Sequence, residues 1–144
     1  IQINPGKAMT PTLPDLLVDG KIADLKTQET PFFTSHACGL DPRYTVTLNL
    51  KDVRYYRESY PDIVLYFWVN WRKLKWRDCE VAYLGGVYRV SLTSILTLIA
   101  TGAPTHYYAR RKTLAERNAT ESYMFDIRSF ERLFHTTDPA FFVS

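Results

Sequence analysis

LPDLLVDGKIADLKTQ, residues 13–28, reads as a β-hairpin: two apolar-rich runs flank Asp19-Gly20, a dipeptide that favours the tight turn joining antiparallel strands. With Asp19 and Gly20 as the two loop residues, Val18 faces Lys21, Leu17 faces Ile22 and Leu16 faces Ala23. One step further out, Asp15 stands opposite Asp24. Directly opposed residues have Cβ atoms about 4.5–5.5 Å apart, where like charges are unfavourable. At an effective dielectric near 20 the repulsion is on the order of 3 kcal/mol, enough to protonate one carboxylate or to require a cation. A divalent metal is the natural resolution. Side chains alternate along a strand, so Lys26 lies on the same face as Asp24 and its ammonium reaches the same place.

The string Pro14-Asp15, eight residues, then Asp24-Leu25-Lys26 resembles the PD-(D/E)xK motif of the restriction-endonuclease-like nucleases. In that superfamily an Asp and an acid-x-Lys triplet sit on adjacent strands of a small hairpin. The resemblance implies that Asp15 and Asp24 bind Mg²⁺, with Mn²⁺ able to substitute, together with the main-chain carbonyl of Leu25. It also implies that Lys26 orients or activates the attacking water, and Gln28 resembles an extra polar residue that some members carry on the same face. The plainer reading is a solvated hairpin in which Lys26 neutralises Asp24 as an exposed pair of little energetic consequence. Against it, the face that carries the acids also carries Leu13, Leu17 and Ile22, and the opposite face carries Pro14, Leu16, Val18, Ala23 and Leu25. Both faces are therefore expected to be at least partly covered.

A chain of 144 residues suits one domain with a single core. Its 46% hydrophobic and 15% aromatic content argues for a folded globule and against disorder. No run of 18 or more apolar residues and no signal peptide is present, so no membrane partner is expected. Cys38 and Cys79 form no CxxC, and His36 with Cys38 makes an isolated HxC pair, so neither a zinc site nor a disulfide framework is indicated and a reducing, cytoplasmic setting is the default. The net charge of +3 permits nucleic-acid binding without requiring it. The chain opens on Ile1, and because the superfamily usually places a helix before the hairpin, an N-terminal element is expected to be missing or replaced.

Beyond the hairpin, residues 29–44 are broken by Pro31, Gly39 and Pro42 and read as an irregular link in which Phe32 and Phe33 anchor to the core, with base stacking as the alternative. Residues 45–50 read as a short extended piece. LKDVRYYRESY (50–60) reads as a helix capped by Asn49 or closed by Ser59 and ended by Pro61, with Tyr56 and Tyr60 packing. DIVLYFWVNW (62–71) is the strongest strand, expected at the centre of the sheet and buried on both faces. Pro61-Asp62 is a second PD pair, rejected because neither Asp78 nor Glu80 is followed two residues on by Lys.

RKLKWRD (72–78) sets Arg72, Lys73, Lys75 and Arg77 around Trp76, either as a solvated turn or as a contact to DNA phosphates. Residues 79–91 read as a hairpin or bulged strand bending at Gly85-Gly86, followed by a helix from Ser91 to about Thr101, stopped by Gly102 and Pro104. In the remainder, His106, Arg110, Arg111, Lys112, Arg117 and Asn118 lie among Tyr107, Tyr108, Ser122 and Tyr123, the mixture that nucleic-acid surfaces use, though also that of an ordinary charged surface. FDIRSFERLF (125–134) reads as an amphipathic helix whose Phe130, Leu133 and Phe134 close the core. The tail after Thr136 is expected to be loosely held or to lie in an oligomer interface.

The expected fold is thus α/β (α+β): a restriction-endonuclease-like core, with a mixed central sheet, a catalytic hairpin and flanking helices. The core spans about 11–100, and a basic DNA-contacting segment spans about 104–134. The expected function is that of a metal-dependent endonuclease on double-stranded DNA, sequence-specific in the restriction or homing manner, from a prokaryote or phage, and working as a homodimer or higher homo-oligomer. A repair nuclease or junction resolvase is the nearest alternative, and a non-catalytic DNA-binding module of the same fold is the alternative outside the enzymes.

Overall fold

The computed structural model describes residues 2–3, 16–106 and 121–142. Strand β1 (Gln2–Ile3) pairs antiparallel with β2 (Leu16–Val18), and β2 pairs antiparallel with β3 (Lys21–Gln28) in the register Leu16↔Ala23, Leu17↔Ile22, Val18↔Lys21. Asp19 at φ 51° and Gly20 at φ 77° both occupy the left-handed region. That is the two-residue turn whose twist matches the flanking strands, and it explains the Asp-Gly pair. Asp15 lies outside the described residues.

Strand β4 (Thr45–Asn49) leads directly into helix α1 (Leu50–Ser59), whose first free amides are capped by the Asn49 side chain accepting from Lys51 N at 2.8 Å. After α1, strand β5 (Val64–Asn70) runs parallel to β3, with Asp24↔Leu65, Lys26↔Phe67 and Gln28↔Val69. A parallel pair needs a long crossover, and β4 with α1 lies within it. Strand β5 is central, as expected: its other neighbour is β8 (Gly85–Ser91), antiparallel, and β8 in turn pairs with β11 (Glu131–Thr136). The six-stranded mixed sheet therefore has the order β1-β2-β3-β5-β8-β11. Helix α2 (Leu92–Ala100) follows β8, capped by Ser91 Oγ accepting from Ser94 N at 3.1 Å. A second sheet joins β4 to β10 (Ser122–Asp126) and β10 to β9 (Thr105–His106), and a two-residue-turn hairpin links β6 (Lys75–Trp76) to β7 (Cys79–Glu80).

One face of the large sheet carries Leu65, Phe67, Val69, Tyr88 and Val90, all buried. They form one cluster with Val46, Leu48 and Phe125 of the second sheet and with Val53, Tyr56, Leu92 and Ile95 of the helices. The arrangement is mixed α and β, and none of the helices among the described residues is long and apolar enough to cross a membrane.

Four expectations need correction. Residues 125–134 are not a helix: β10 ends at Asp126, a single 3₁₀ turn spans Ile127–Ser129, and β11 begins at Glu131. Asp126 accepts from Arg128 N at 2.9 Å and its carboxylate grips the Arg128 guanidinium, which stops the chain after one turn. Phe130 does enter the core, but Leu133 and Phe134 are exposed. Secondly, residues 122–136 of the expected C-terminal segment are no appendage, because β10 joins the second sheet and β11 the first. Thirdly, the central strand is not buried on both faces: Trp68, on the face away from Phe67, is 39% exposed. Finally, Gly85-Gly86 is no bend but the start of β8, where a Cβ on Gly86 would meet the Phe134 carbonyl oxygen at 2.6 Å.

Candidate active site

Strand alternation sends Asp24, Lys26 and Gln28 to the core-facing side of β3, and α1 lies over that side. On α1, Asp52 and Tyr56 are four residues apart and therefore neighbours on one helix face. The Tyr56 hydroxyl donates to Asp24 Oδ2. Lys26 Nζ stands 3.4 Å from the same Asp24 oxygen and 3.0 Å from Asp52 Oδ2, and it lies 5.4 Å from the centre of the Tyr56 ring. Asp24 is 7% exposed, so its charge is held by these partners rather than by water. Asp52 is open to solvent, which leaves the cluster buried at one end and accessible at the other.

Gln28 is committed to the main chain. Its Nε2 donates to Thr30 O at 3.0 Å and to Thr45 O at 3.3 Å, and its Oε1 accepts from Thr47 N at 3.3 Å. It thus ties β3 to β4 across the mouth of a cavity of about 470 Å³ walled by Lys26, Gln28, Phe32, Thr47, Asn49 and Ser122, with Phe67 also contributing. That volume is within the ordinary range of ligand sites, roughly 300–1,000 Å³.

Among the described residues no group of three or more His, Cys, Asp or Glu converges to hold a metal ion. Asp15, the expected partner of Asp24, lies outside them. The donors that are in place, the Asp24 carboxylate and the Leu25 carbonyl on the same strand, are hard oxygen ligands and so fit Mg²⁺ or Mn²⁺ in kind.

The expected nucleic-acid contacts fall into separate groups. Arg72, Lys73, Lys75 and Arg77 are exposed on and before the β6–β7 hairpin. Arg72 pairs with Glu29 at 3.6 Å and Lys75 with Glu80 at 3.8 Å, both solvent-exposed pairs of small energy. The Arg77 guanidinium lies 4.4 Å from the Trp76 ring centre, and Arg77 holds φ 53°, a conformation seldom adopted outside glycine and kept here at the tip of a basic turn. Trp76 in turn stacks on Phe33, at 6.4 Å between ring centres. His106 packs its ring edgewise on Phe32, a residue of the cavity wall, at 4.8 Å. Arg110, Arg111, Lys112, Arg117 and Asn118 lie outside the described residues.

Three residues come to this region by routes that the sequence does not give, although it names Ser122 in the nucleic-acid mixture and Tyr56 as a packing residue. Asp52 and Tyr56 come from a helix 26 and 32 residues beyond their partners on β3, and only their spacing of four hinted that they act together. Ser122 reaches the cavity through the pairing of β10 with β4, which no local pattern announces. Compared with family models, with curated proteins and with solved structures, the chain finds no match.

Proposed function

We propose that the chain is a Mg²⁺-dependent endonuclease that hydrolyses phosphodiester bonds of double-stranded DNA, within a restriction-endonuclease-like core. The observation that carries the reading is the alternation along β3: it brings Asp24 and Lys26 to one side, with the Lys26 ammonium 3.4 Å from the buried Asp24 carboxylate and itself lining an open cavity. An exposed structural ion pair needs neither the burial nor the cavity.

Asp24, the Leu25 carbonyl and Asp15 would hold Mg²⁺, which would supply Lewis-acid polarisation of the scissile phosphate and a water of lowered pKa. Tyr56 fixes the Asp24 carboxylate by donating to one oxygen, which orients the group without neutralising it. Asp52 holds the Lys26 ammonium at the cavity edge, where Lys26 places the water in line with the phosphorus and offsets the charge that develops on the phosphoryl oxygens. The water oxygen bonds to phosphorus, the bond from phosphorus to the 3′ oxygen breaks, and the products are a 5′-phosphate and a 3′-hydroxyl. The exposed cations of residues 72–77 provide phosphate contacts that carry no sequence information, leaving recognition to base contacts from elsewhere. Cutting both strands at one position with one centre per chain calls for a homodimer or higher symmetric assembly. The wider setting is intracellular, in a prokaryote or phage, and a restriction, homing, repair or junction-resolving role uses the same chemistry.

One observation favours a non-catalytic DNA-binding module instead: Asp24, Tyr56, Lys26 and Asp52 satisfy one another and would hold α1 on β3 without any substrate. Metal-dependent cleavage of plasmid DNA by the wild-type chain, abolished in both Asp24→Asn and Lys26→Ala, supports the enzyme. A folded wild type that binds DNA and cuts no duplex, branched or single-stranded substrate supports the module.

A further inference from the structure

The cavity beside Lys26 has a polar wall that the chemistry above does not use. In the second sheet Asn49 pairs with Ser122 and Ser122 with His106, so the three side chains form one row across β4, β10 and β9 on a single face. Thr47 lies on that same face, two residues before Asn49. Ser122 is 4% exposed and lines the cavity. A hydroxyl on a cavity wall offers a ligand both a donor and an acceptor. Phe32 lines the same cavity, its ring braced edgewise by His106 at one end of the row, and Lys26 lines it as well. An aromatic ring, a row of hydrogen-bonding side chains and a cation within about 470 Å³ describe the complement of a single nucleotide.

We propose that this cavity takes one nucleotide unit of a DNA strand out of its stack, the base seated against Phe32 and the Asn49–Ser122–His106 row and the phosphate at Lys26. The inference rests on the nuclease reading for its choice of DNA as the source. It goes beyond that reading in making an extruded or single-stranded nucleotide, rather than the stacked duplex, the form that is bound. Seating a single base there requires the strand to unstack locally, which is easiest where pairing is already broken.

The test uses the full chain without added metal. Each of the four deoxynucleoside 5′-monophosphates is titrated while the backbone amide signals of Phe32, Thr47 and Ser122 are followed by NMR, with inorganic phosphate and deoxyribose 5-phosphate as controls. At least one mononucleotide should shift those signals with the controls shifting them less, and a single-stranded oligonucleotide should bind more tightly than the mononucleotide. Ser122→Ala should weaken the mononucleotide by about 3- to 10-fold, the worth of one neutral hydrogen bond, while the variant stays folded. No shift at these residues with any mononucleotide, equal shifts with inorganic phosphate, or equal affinity of wild type and Ser122→Ala overturns the inference. Failure here with Lys26-dependent cleavage retained leaves the nuclease reading intact. Nucleotide binding with no cleavage of any DNA removes the nuclease reading and keeps the nucleotide site.

Discussion

Tyr56→Phe removes one hydroxyl from the centre of the proposed site and leaves the ring, with its packing and its contact to the Lys26 ammonium, in place. Asp24 is 7% exposed and Tyr56 2%, so water does not replace the lost bond, and no discount for solvent screening applies. A hydrogen bond to a charged group contributes about 1.5–3 kcal/mol, and the expected loss of stability is therefore about 2 kcal/mol. Urea unfolding followed by tryptophan fluorescence reads it, with the midpoint falling and the slope unchanged. The same change in an Asp24→Ala background has the opposite logic. There the Tyr56 hydroxyl has already lost the carboxylate it donates to, so Tyr56→Phe should cost less than about 0.5 kcal/mol or stabilise, giving a coupling of at least about 1 kcal/mol between the two positions. A cost below about 0.5 kcal/mol in the wild-type background, or an equal cost in both, would refute the claim that Tyr56 holds a buried carboxylate.

Two further predictions address the frame around the site. Gly20→Ala should destabilise the protein by about 1 kcal/mol through the strain of placing a Cβ at φ 77°, because nothing lies within 4 Å of that position to clash; thermal unfolding reads the loss, and an unchanged midpoint would show that the turn relaxes. Asp126→Asn should remove an acid-sensitive contribution. Burial pushes the Asp126 carboxyl up, but the Arg128 side-chain and main-chain hydrogen bonds outweigh it and leave the group below its ordinary value of 3.8. A depressed carboxylate stabilises fully above its unfolded pKa and loses that contribution as pH falls through the folded one. The wild type should therefore exceed Asp126→Asn by no more than about 1 kcal/mol at neutral pH, discounted because Arg128 is largely exposed, and the difference should vanish in the acid limb below 3.8. A difference that persists at low pH would locate the effect elsewhere.

What could be read from the sequence follows the range of the interactions involved. Asp19-Gly20 specifies a left-handed pair, the pair specifies the turn, and the turn specifies the register of Leu16, Leu17 and Val18 against Ala23, Ile22 and Lys21, all within ten residues. The run Val64–Asn70 carries enough β-branched and aromatic bulk to place itself at the sheet centre. Asn49 and Ser91 announce their helices by capping them locally.

The misreadings arise where local pattern and sheet pairing compete. Ile127, Phe130, Leu133 and Phe134 fall at helical spacing, but the Asp126–Arg128 bracket ends the turn and β8 offers an edge to pair with, so the last two side chains go to the surface. The opposing charges of the site are legible only in part, since Asp24 and Lys26 share a strand while Asp52 and Tyr56 arrive through the crossover that carries α1 over β3. No spacing in the chain encodes where that helix lands. The same holds for Ser122, which meets Asn49 only because β10 returns to pair with β4 from far along the chain.

The central claim, that Asp24 and Lys26 form a hydrolytic centre for DNA, is tested most directly by incubating supercoiled plasmid with the wild-type chain, Asp24→Asn and Lys26→Ala, each with and without Mg²⁺. The account predicts nicked or linear product with 5′-phosphate ends for wild type with Mg²⁺ alone, and a loss of at least about 100-fold in rate for both variants while they remain folded. Cleavage that survives in folded Lys26→Ala, or a wild type that binds DNA and leaves every substrate intact, would contradict it.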